Sequence, residues 1–151
     1  MKKFELTAES KINIFGKKLF RIKALISFGD VEEGETGGWI EKEENLEQSS
    51  GNAWVYGNAE VYGNARVSGN AEVSGNADYT TIHGFGTQFR TTTFFQCEDK
   101  QIRVSCGCFL GTIPEFREQV KNTREGKIAE EYLMIADLME KHFVKEKESG
   151  E

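Results

Sequence analysis

The side chains best suited to binding a small molecule lie between positions 85 and 103. Two aromatic residues, two arginines and a threonine stand out there: Phe85, Arg90, Thr92, Phe94 and Arg103. A guanidinium group binds phosphate oxygens in bidentate fashion, and an aromatic ring attracts a cation or stacks on a base. This set predicts a site for a small anionic, nucleotide-like ligand. Packing of the same residues against helices or a neighbouring subunit is the alternative.

The sequence lacks the residue patterns that metal binding and catalysis require. Cys97, Cys106 and Cys108 follow a C-x8-C-x-C spacing, whereas structural zinc sites use C-x2–4-C pairs. Their apolar neighbours favour burial, so we predict no metal and no other cofactor. His83 is the candidate general base for acyl transfer, but the sequence places no carboxylate to orient it. We therefore predict that the protein is not an enzyme and assign no catalytic residue.

A run of five hexads fills the middle of the chain: GNAWVY, GNAEVY, GNARVS, GNAEVS and GNADYT. A period of six fits neither an α-helix nor a simple alternating strand. The pattern resembles the hexapeptide repeat of left-handed parallel β-helices, in which three hexads form one triangular coil. The valines at every sixth position would fill the interior. The Gly-Asn pairs suit the corners, because both residue types tolerate positive φ.

The hexad spacing extends upstream of the regular repeats and predicts how the chain assembles. Aliphatic residues continue it at intervals of nine, six and nine residues: Val31, Ile40, Leu46 and Val55. Aromatic residues occupy outward positions: Trp54, Tyr56 and Tyr62. Because so short a coil leaves flat faces that need covering, we predict a homo-oligomer, with a trimer as the favoured stoichiometry.

Changes in pattern along the chain divide it into four segments. An N-terminal β-hairpin is predicted for residues 1–28, and a left-handed β-helix is predicted for residues 29–80. Residues 81–144 predict an α+β module made of a hairpin and two helices, and residues 145–151 a frayed tail. The predicted fold class is therefore mainly β: a short left-handed parallel β-helix with an N-terminal hairpin and a C-terminal α+β module.

The C-terminal hairpin is predicted over residues 91–109, with its turn at 98–101. This register places Phe95 opposite Val104, and by alternation Arg103 then shares a face with Phe94. We expect that shared face to line the ligand site. The hairpin could instead form only an interface with another part of the protein.

Helix signals follow the hairpin. Thr112 and Glu115 have the spacing of a capping box, which predicts the start of a first helix. Gly126 is expected to end that helix. A second helix is predicted over residues 128–144, because apolar residues recur there at helical spacing.

Composition and charge exclude several classes of function. The chain has 25 acidic and 19 basic residues in a total of 151, giving a net charge of −6. An acidic protein is poorly suited to generic DNA binding, which depends on a basic surface. No apolar run is long enough to span a membrane, and no secretory signal is recognised at the N-terminus. An odd count of three cysteines favours a reducing cytoplasm.

Four motifs together resemble a family of bacteriophage and prophage proteins. They are Gly37-Gly38-Trp39-Ile40-Glu41, the GNA hexads, Thr91-Thr92-Thr93-Phe94-Phe95 and Cys106-Gly107-Cys108-Phe109. The resemblance implies a phage context, in which small non-enzymatic proteins often counter bacterial immunity, and it supplies no catalytic residue. We predict a phage-encoded anti-defence protein that sequesters a nucleotide-type immune signal in the cytoplasm of the bacterial host. The alternatives are an oligomeric structural or assembly scaffold of a phage and a hexapeptide-repeat acyltransferase.

Overall fold

The computed structural model describes residues 2–49 and 51–144, and it is mainly β with two helices at the C-terminal end, as predicted. The strands are β1 (Phe4–Ile12), β2 (Lys18–Ala24), β3 (Thr36–Ile40), β4 (Trp54–Val55), β5 (Glu60–Val61), β6 (Glu72–Val73), β7 (Tyr79–Phe85), β8 (Arg90–Gln96), β9 (Ile102–Cys106) and β10 (Phe109–Thr112). The helices are α1 (Ile113–Thr123) and α2 (Gly126–His142). None of the described helices is long and apolar enough to cross a membrane. The predicted tail lies outside the described residues.

The hexads form parallel layers, here called the coil (residues 36–75). Inward aliphatic side chains from successive layers lie side by side, in the pairs Ile40 with Val61, Leu46 with Val67, and Val55 with Val73. The first two pairs are separated by 21 residues and the third by 18, so the layers upstream contain three extra residues. These side chains are almost fully buried and form the core of the coil together with the hexad alanines.

The fifth hexad leaves the coil instead of continuing it. Asn76–Asp78 form a 3-10 turn, and Tyr79 begins β7. The Asp78 carboxylate accepts hydrogen bonds from the backbone N–H groups of Ser74 and Gly75, at 2.8 and 3.0 Å. This local capping turns the chain out of the repeat, so the predicted run of five equivalent hexads is one too long.

The N-terminal hairpin, formed by β1 and β2, continues through β3 into the sheet of the coil. The ring of Trp54 points outward from the coil, as its hexad position predicts, yet it is fully buried. Phe4 and Phe28 pack edge-on against it at centroid distances of 6.3 and 5.3 Å. The expected exposed face at Trp54 is therefore wrong, and covering that residue requires no second subunit.

The C-terminal sheet has the order β10-β9-β8-β7, and its inner strand β8 is buried on both faces. Phe94 and Val104 point towards α1 and α2, whereas Phe95 packs into the core of the coil. The observed register pairs Phe95 with Arg103, not with Val104. The turn is one residue shorter than expected and covers residues 98–100, because the Cys97 N–H donates to the Gln101 carbonyl at 2.9 Å. A shift of one residue reverses the faces of β9, so the expectation that Arg103 shares a face with Phe94 is wrong.

The boundaries of the C-terminal elements differ from prediction in three places. Strands β7 and β10 are not among the predicted elements. The capping box of α1 is present: the Thr112 Oγ1 accepts from the Glu115 N–H at 3.2 Å, and the Thr112 N–H donates to Glu115 Oε1 at 2.8 Å. Gly126, with φ of 66°, begins α2 and does not end α1. Helix α2 therefore begins and ends about two residues earlier than predicted.

A candidate anion-binding cleft

Three of the five predicted ligand-binding residues lie in the core beneath the helices. Phe94 is fully buried, with its ring edge-on to Phe116 at 6.2 Å. Thr92 is also buried, and its hydroxyl donates to the Cys106 sulfur at 3.2 Å. Phe85 is half-buried against the same apolar cluster. These side chains support folding, and the first two are inaccessible to a ligand.

Arg103 lies on the other face of the sheet and has a partner of its own. Its guanidinium binds both oxygens of Asp99, at 2.8 and 3.3 Å. This hydrogen bonding holds the pKa of the Asp99 carboxyl below its usual range. The predicted combination of Arg90, Phe94 and Arg103 on one face is therefore not formed.

Arg90, the remaining predicted residue, lines a cleft between the coil and the C-terminal sheet. The cleft has a volume of about 540 Å³. Its lining comes from both sides: Lys42, Glu44, Asn64, Ala65 and Arg66 from the coil, and His83, Arg90, Thr91, Thr93, Ser105 and Gly107 from the sheet. A cavity of this size lies within the range of small-molecule sites.

The coil side of the cleft is held in place by one buried amide. The Asn45 side chain accepts hydrogen bonds from the N–H groups of Glu41 and Lys42, at 3.1 and 3.0 Å. Its NH2 group donates to the carbonyls of Gly63 and Ala65 in the next layer, at 3.1 and 2.9 Å. The backbone that carries Lys42 is thereby fixed to the hexad that contains Arg66.

Contacts between coil and sheet set the opposite wall. The Arg66 N–H donates to Thr93 Oγ1 at 3.1 Å, which joins the third hexad to β8. Gly107, with φ of 60°, occupies the turn between β9 and β10. A Cβ atom at Gly107 would overlap the Arg90 guanidinium, so glycine leaves the space in which that group lies.

The lining of the cleft carries a net positive charge. Its cations are Lys42, Arg66 and Arg90, against the single carboxylate of Glu44. Among residues 2–49 and 51–144, no ion pair includes any of the three cations. Lys42 donates to the neutral amide of Asn64 at 3.3 Å, and Arg90 donates to that of Gln88. None of the three cations is therefore within ion-pair distance of a described carboxylate.

The hydrogen-bonding groups of the cleft suit phosphate oxygens. The hydroxyls of Thr91 and Ser105 line it beside the cations, and a ring nitrogen of His83 lies 2.8 Å from Thr91 Oγ1. Arginine and hydroxyl groups are frequent partners of phosphate. No aromatic ring other than the imidazole of His83 is among the lining side chains. The cleft is thus built to bind charge and hydroxyl groups more than to stack on a base.

Lys42, Arg66 and Ser105 are not among the predicted site residues. Two signals in the sequence could have identified the first two. Lys42 and Arg66 are the only basic residues between positions 29 and 80, a segment with eleven acidic residues. Arg66 is also the only cation at the outward position of the five hexads.

The cysteines do not form a cluster. Cys97 is buried towards the coil, Cys106 faces the helices and Cys108 is exposed. Within the described part of the chain, no group of three or more His, Cys, Asp or Glu side chains is arranged to hold a metal ion.

No protein-family model matches the sequence, and no curated protein is significantly similar to it. The resemblance to phage proteins accordingly stays a prediction. The function proposed below depends on the residues of the cleft.

Proposed function

We propose that this protein is a non-enzymatic binding protein that captures a small phosphorylated ligand of nucleotide type in the cleft. One observation carries the proposal: three cations without an ion-pair partner among the described residues converge with hydroxyl groups around a cavity of about 540 Å³. A partly enclosed site strengthens the attraction between such cations and phosphate.

Each side of the cleft has a distinct role in this proposal. The guanidinium groups of Arg66 and Arg90 approach from the coil and the sheet, so a phosphate between them receives donors from both sides. The compact ammonium group of Lys42 neutralises a second negative charge of the ligand. Ser105 and Thr91 bind ribose or phosphate oxygens. Recognition of the sugar and phosphates, with little stacking, favours a ligand that carries more than one negative charge.

Capture without turnover fits the surroundings of His83. Its Nδ1 shares a hydrogen bond with the Thr91 hydroxyl, whereas a general base is usually oriented by a carboxylate. The acyltransferase alternative therefore gains no support from this residue. A ligand held without reaction is removed from solution in proportion to the protein present.

The biological setting of the proposal comes from the sequence resemblance. In it, the protein acts in the cytoplasm of an infected bacterium and sequesters a nucleotide-type immune signal on behalf of a phage. The coil is then a short left-handed parallel β-helix. The inward valines and the 18-residue interval between paired strands support that finer fold assignment.

The test is calorimetric titration with three defined probes: tripolyphosphate, ATP and cyclic di-AMP. We expect at least one to bind. Arg66→Ala and Arg90→Ala should each weaken its binding by roughly tenfold or more, because a hydrogen bond to a charged group contributes about 1.5–3 kcal/mol. Arg103→Ala is the matched control, since its guanidinium is paired with Asp99 outside the cleft.

Two outcomes would contradict the proposal. Equal binding by the wild type and the two cleft variants would show that the ligand binds elsewhere. The second outcome combines two results. None of the three probes binds, and native mass spectra of the protein recovered from infected cells show no retained ligand. That result would favour the scaffold alternative.

A further inference from the structure

The turn between β1 and β2 presents three large apolar side chains to solvent. Ile12, Ile14 and Phe15, here called the apolar tip, are 67%, 93% and 68% exposed. Exposed apolar groups that lie together mark interaction sites more often than isolated ones do. Since Ile14 is almost completely exposed, it contributes nothing to the packing of its own chain.

The backbone of the apolar tip is ordered by one asparagine. Asn13 Oδ1 accepts hydrogen bonds from the N–H groups of Phe15 and Lys17, both at 2.9 Å. The amide of Asn13 also donates to Glu60 Oε1 at 3.3 Å, which ties the turn to the coil. The tip is therefore presented in a fixed conformation, which lowers the entropy that a partner must remove on binding.

The charge around the apolar tip points to an acidic partner. Residues 11–18 contain three lysines and no acidic residue, although the whole chain carries −6. Lys11 is paired with Glu60 of the coil at 2.9 Å, whereas Lys17 and Lys18 form no ion pair with any described residue. A complementary surface has an apolar floor surrounded by carboxylates.

A surface of that description lies on this same chain. Between the coil and the C-terminal sheet, apart from the cleft, is a cavity of about 380 Å³, here called the acidic pocket. Its carboxylates are Glu98, Asp99 and Glu115, and its only cation is Arg103, which is paired with Asp99. Its apolar lining includes Leu110, which is 48% exposed. A cavity of about 150 Å³ accommodates benzene, so this pocket has room for a phenyl ring and an aliphatic side chain.

We infer that the apolar tip of one copy of this protein inserts into the acidic pocket of a second copy. Ile14 occupies the pocket beside Leu110 together with Phe15, whose ring exchanges its 6.1 Å contact with Tyr62 of its own chain for the pocket. Lys17 and Lys18 approach Glu98 and Glu115. The contact is heterologous, because different surfaces of the two copies meet, and repetition closes a ring or extends a chain. It uses neither the cleft nor the coil faces around Trp54.

The test is light scattering combined with size exclusion, using two variants that each remove one half of the contact. Wild type should give a mass at least twice that of the 17.0 kDa chain. Ile14→Glu and Leu110→Arg should each give the 17.0 kDa monomer with unchanged circular dichroism. The control is Met134→Glu, an exposed apolar residue of α2 outside both surfaces, which should keep the wild-type mass.

Mixing the two variants decides whether the contact is head to tail. Leu110→Arg keeps its tip and Ile14→Glu keeps its pocket, so an equimolar mixture should give a heterodimer of twice the chain mass and nothing larger. A monomeric wild type, variants of unchanged mass, or a mixture that stays monomeric would each overturn the inference. If wild type is monomeric and Ile14→Glu alone abolishes sedimentation with phosphatidylglycerol vesicles, the tip binds lipid instead.

Discussion

A buried lysine near the N-terminus should make stability depend on pH in the alkaline range. Lys3 is almost fully buried, and its ammonium group donates to the Ala53 carbonyl at 2.9 Å. Its Nζ also lies 4.8 Å from the centre of the Phe28 ring. Burial lowers the pKa of Lys3 from 10.5 to about 8, although the charge of Glu47 acts in the opposite direction. The folded protein therefore carries a charged group that its surroundings disfavour.

The sign and size of the effect follow from proton linkage. Between pH 8 and pH 10.5 the unfolded chain holds a proton that folded Lys3 has lost, so the free energy of unfolding rises with pH. Below pH 8 the lysine is protonated in both states, and the penalty of burying the charge is present in full. Each pKa unit corresponds to about 1.4 kcal/mol, so the gain across this range is roughly 3 kcal/mol.

The measurement compares wild type with Lys3→Met by urea unfolding at several pH values from 7 to 10.5, followed by tryptophan fluorescence. The stability of wild type relative to the variant should rise by about 3 kcal/mol across the range. Loss of the bond to Ala53 shifts the variant equally at every pH, and the other titrating groups are common to both proteins. Lys23→Met, at an exposed lysine, is the control. Parallel curves for wild type and Lys3→Met would refute the reasoning.

Two further predictions use matched pairs of substitutions. Phe94→Ala and Phe95→Ala should each cost about 3–5 kcal/mol of unfolding free energy in urea, because both side chains are fully buried, one in each core. Phe89→Ala should cost under about 0.5 kcal/mol, since that ring is 66% exposed, and similar losses for all three would contradict these burial assignments. Gly57→Ala should lower stability by roughly 1–2 kcal/mol through its positive φ alone. Gly51→Ala should cost at least twice as much, because its Cβ would also overlap the Gly69 carbonyl; equal melting temperatures would count against the close approach of these layers.

The sequence carried enough information for the layering of the coil. A fixed period of six, with valine at one position, indicates which side chain points inward. The intervals of nine and six residues upstream then align Ile40 with Val61. The prediction failed at Asp78, whose carboxylate caps a 3-10 turn and ends the repeat although the hexad sequence pattern continues. That outcome depends on a local hydrogen bond that the period does not encode.

The candidate site was harder to predict because strand β8 is buried on both faces. Alternation assigns a face only when one side of a strand is polar, and Phe94 and Phe95 are adjacent and both buried. The pattern therefore could not decide which of them faced the helices, and Arg103 was assigned to the wrong face. The cations of the cleft meet only after the coil has wound once between Lys42 and Arg66. Such a meeting depends on tertiary geometry and not on local pattern.

The interval between paired strands of the coil limits how proteins of this design can vary in length. Trp54 and Val55 pair with residues 18 positions later, so an inserted block of three hexads adds one complete layer and leaves every inward residue inward. A single hexad inserted between Lys42 and Arg66 would rotate Arg66 and the C-terminal sheet together by a third of a turn and carry both away from Lys42. A complete layer placed between Lys42 and Arg66 would move these cations apart by about 4.8 Å, the spacing of neighbouring strands. In the proposed function, the number of repeats thus sets the length of ligand that the cleft can hold, in steps that no point substitution could reproduce.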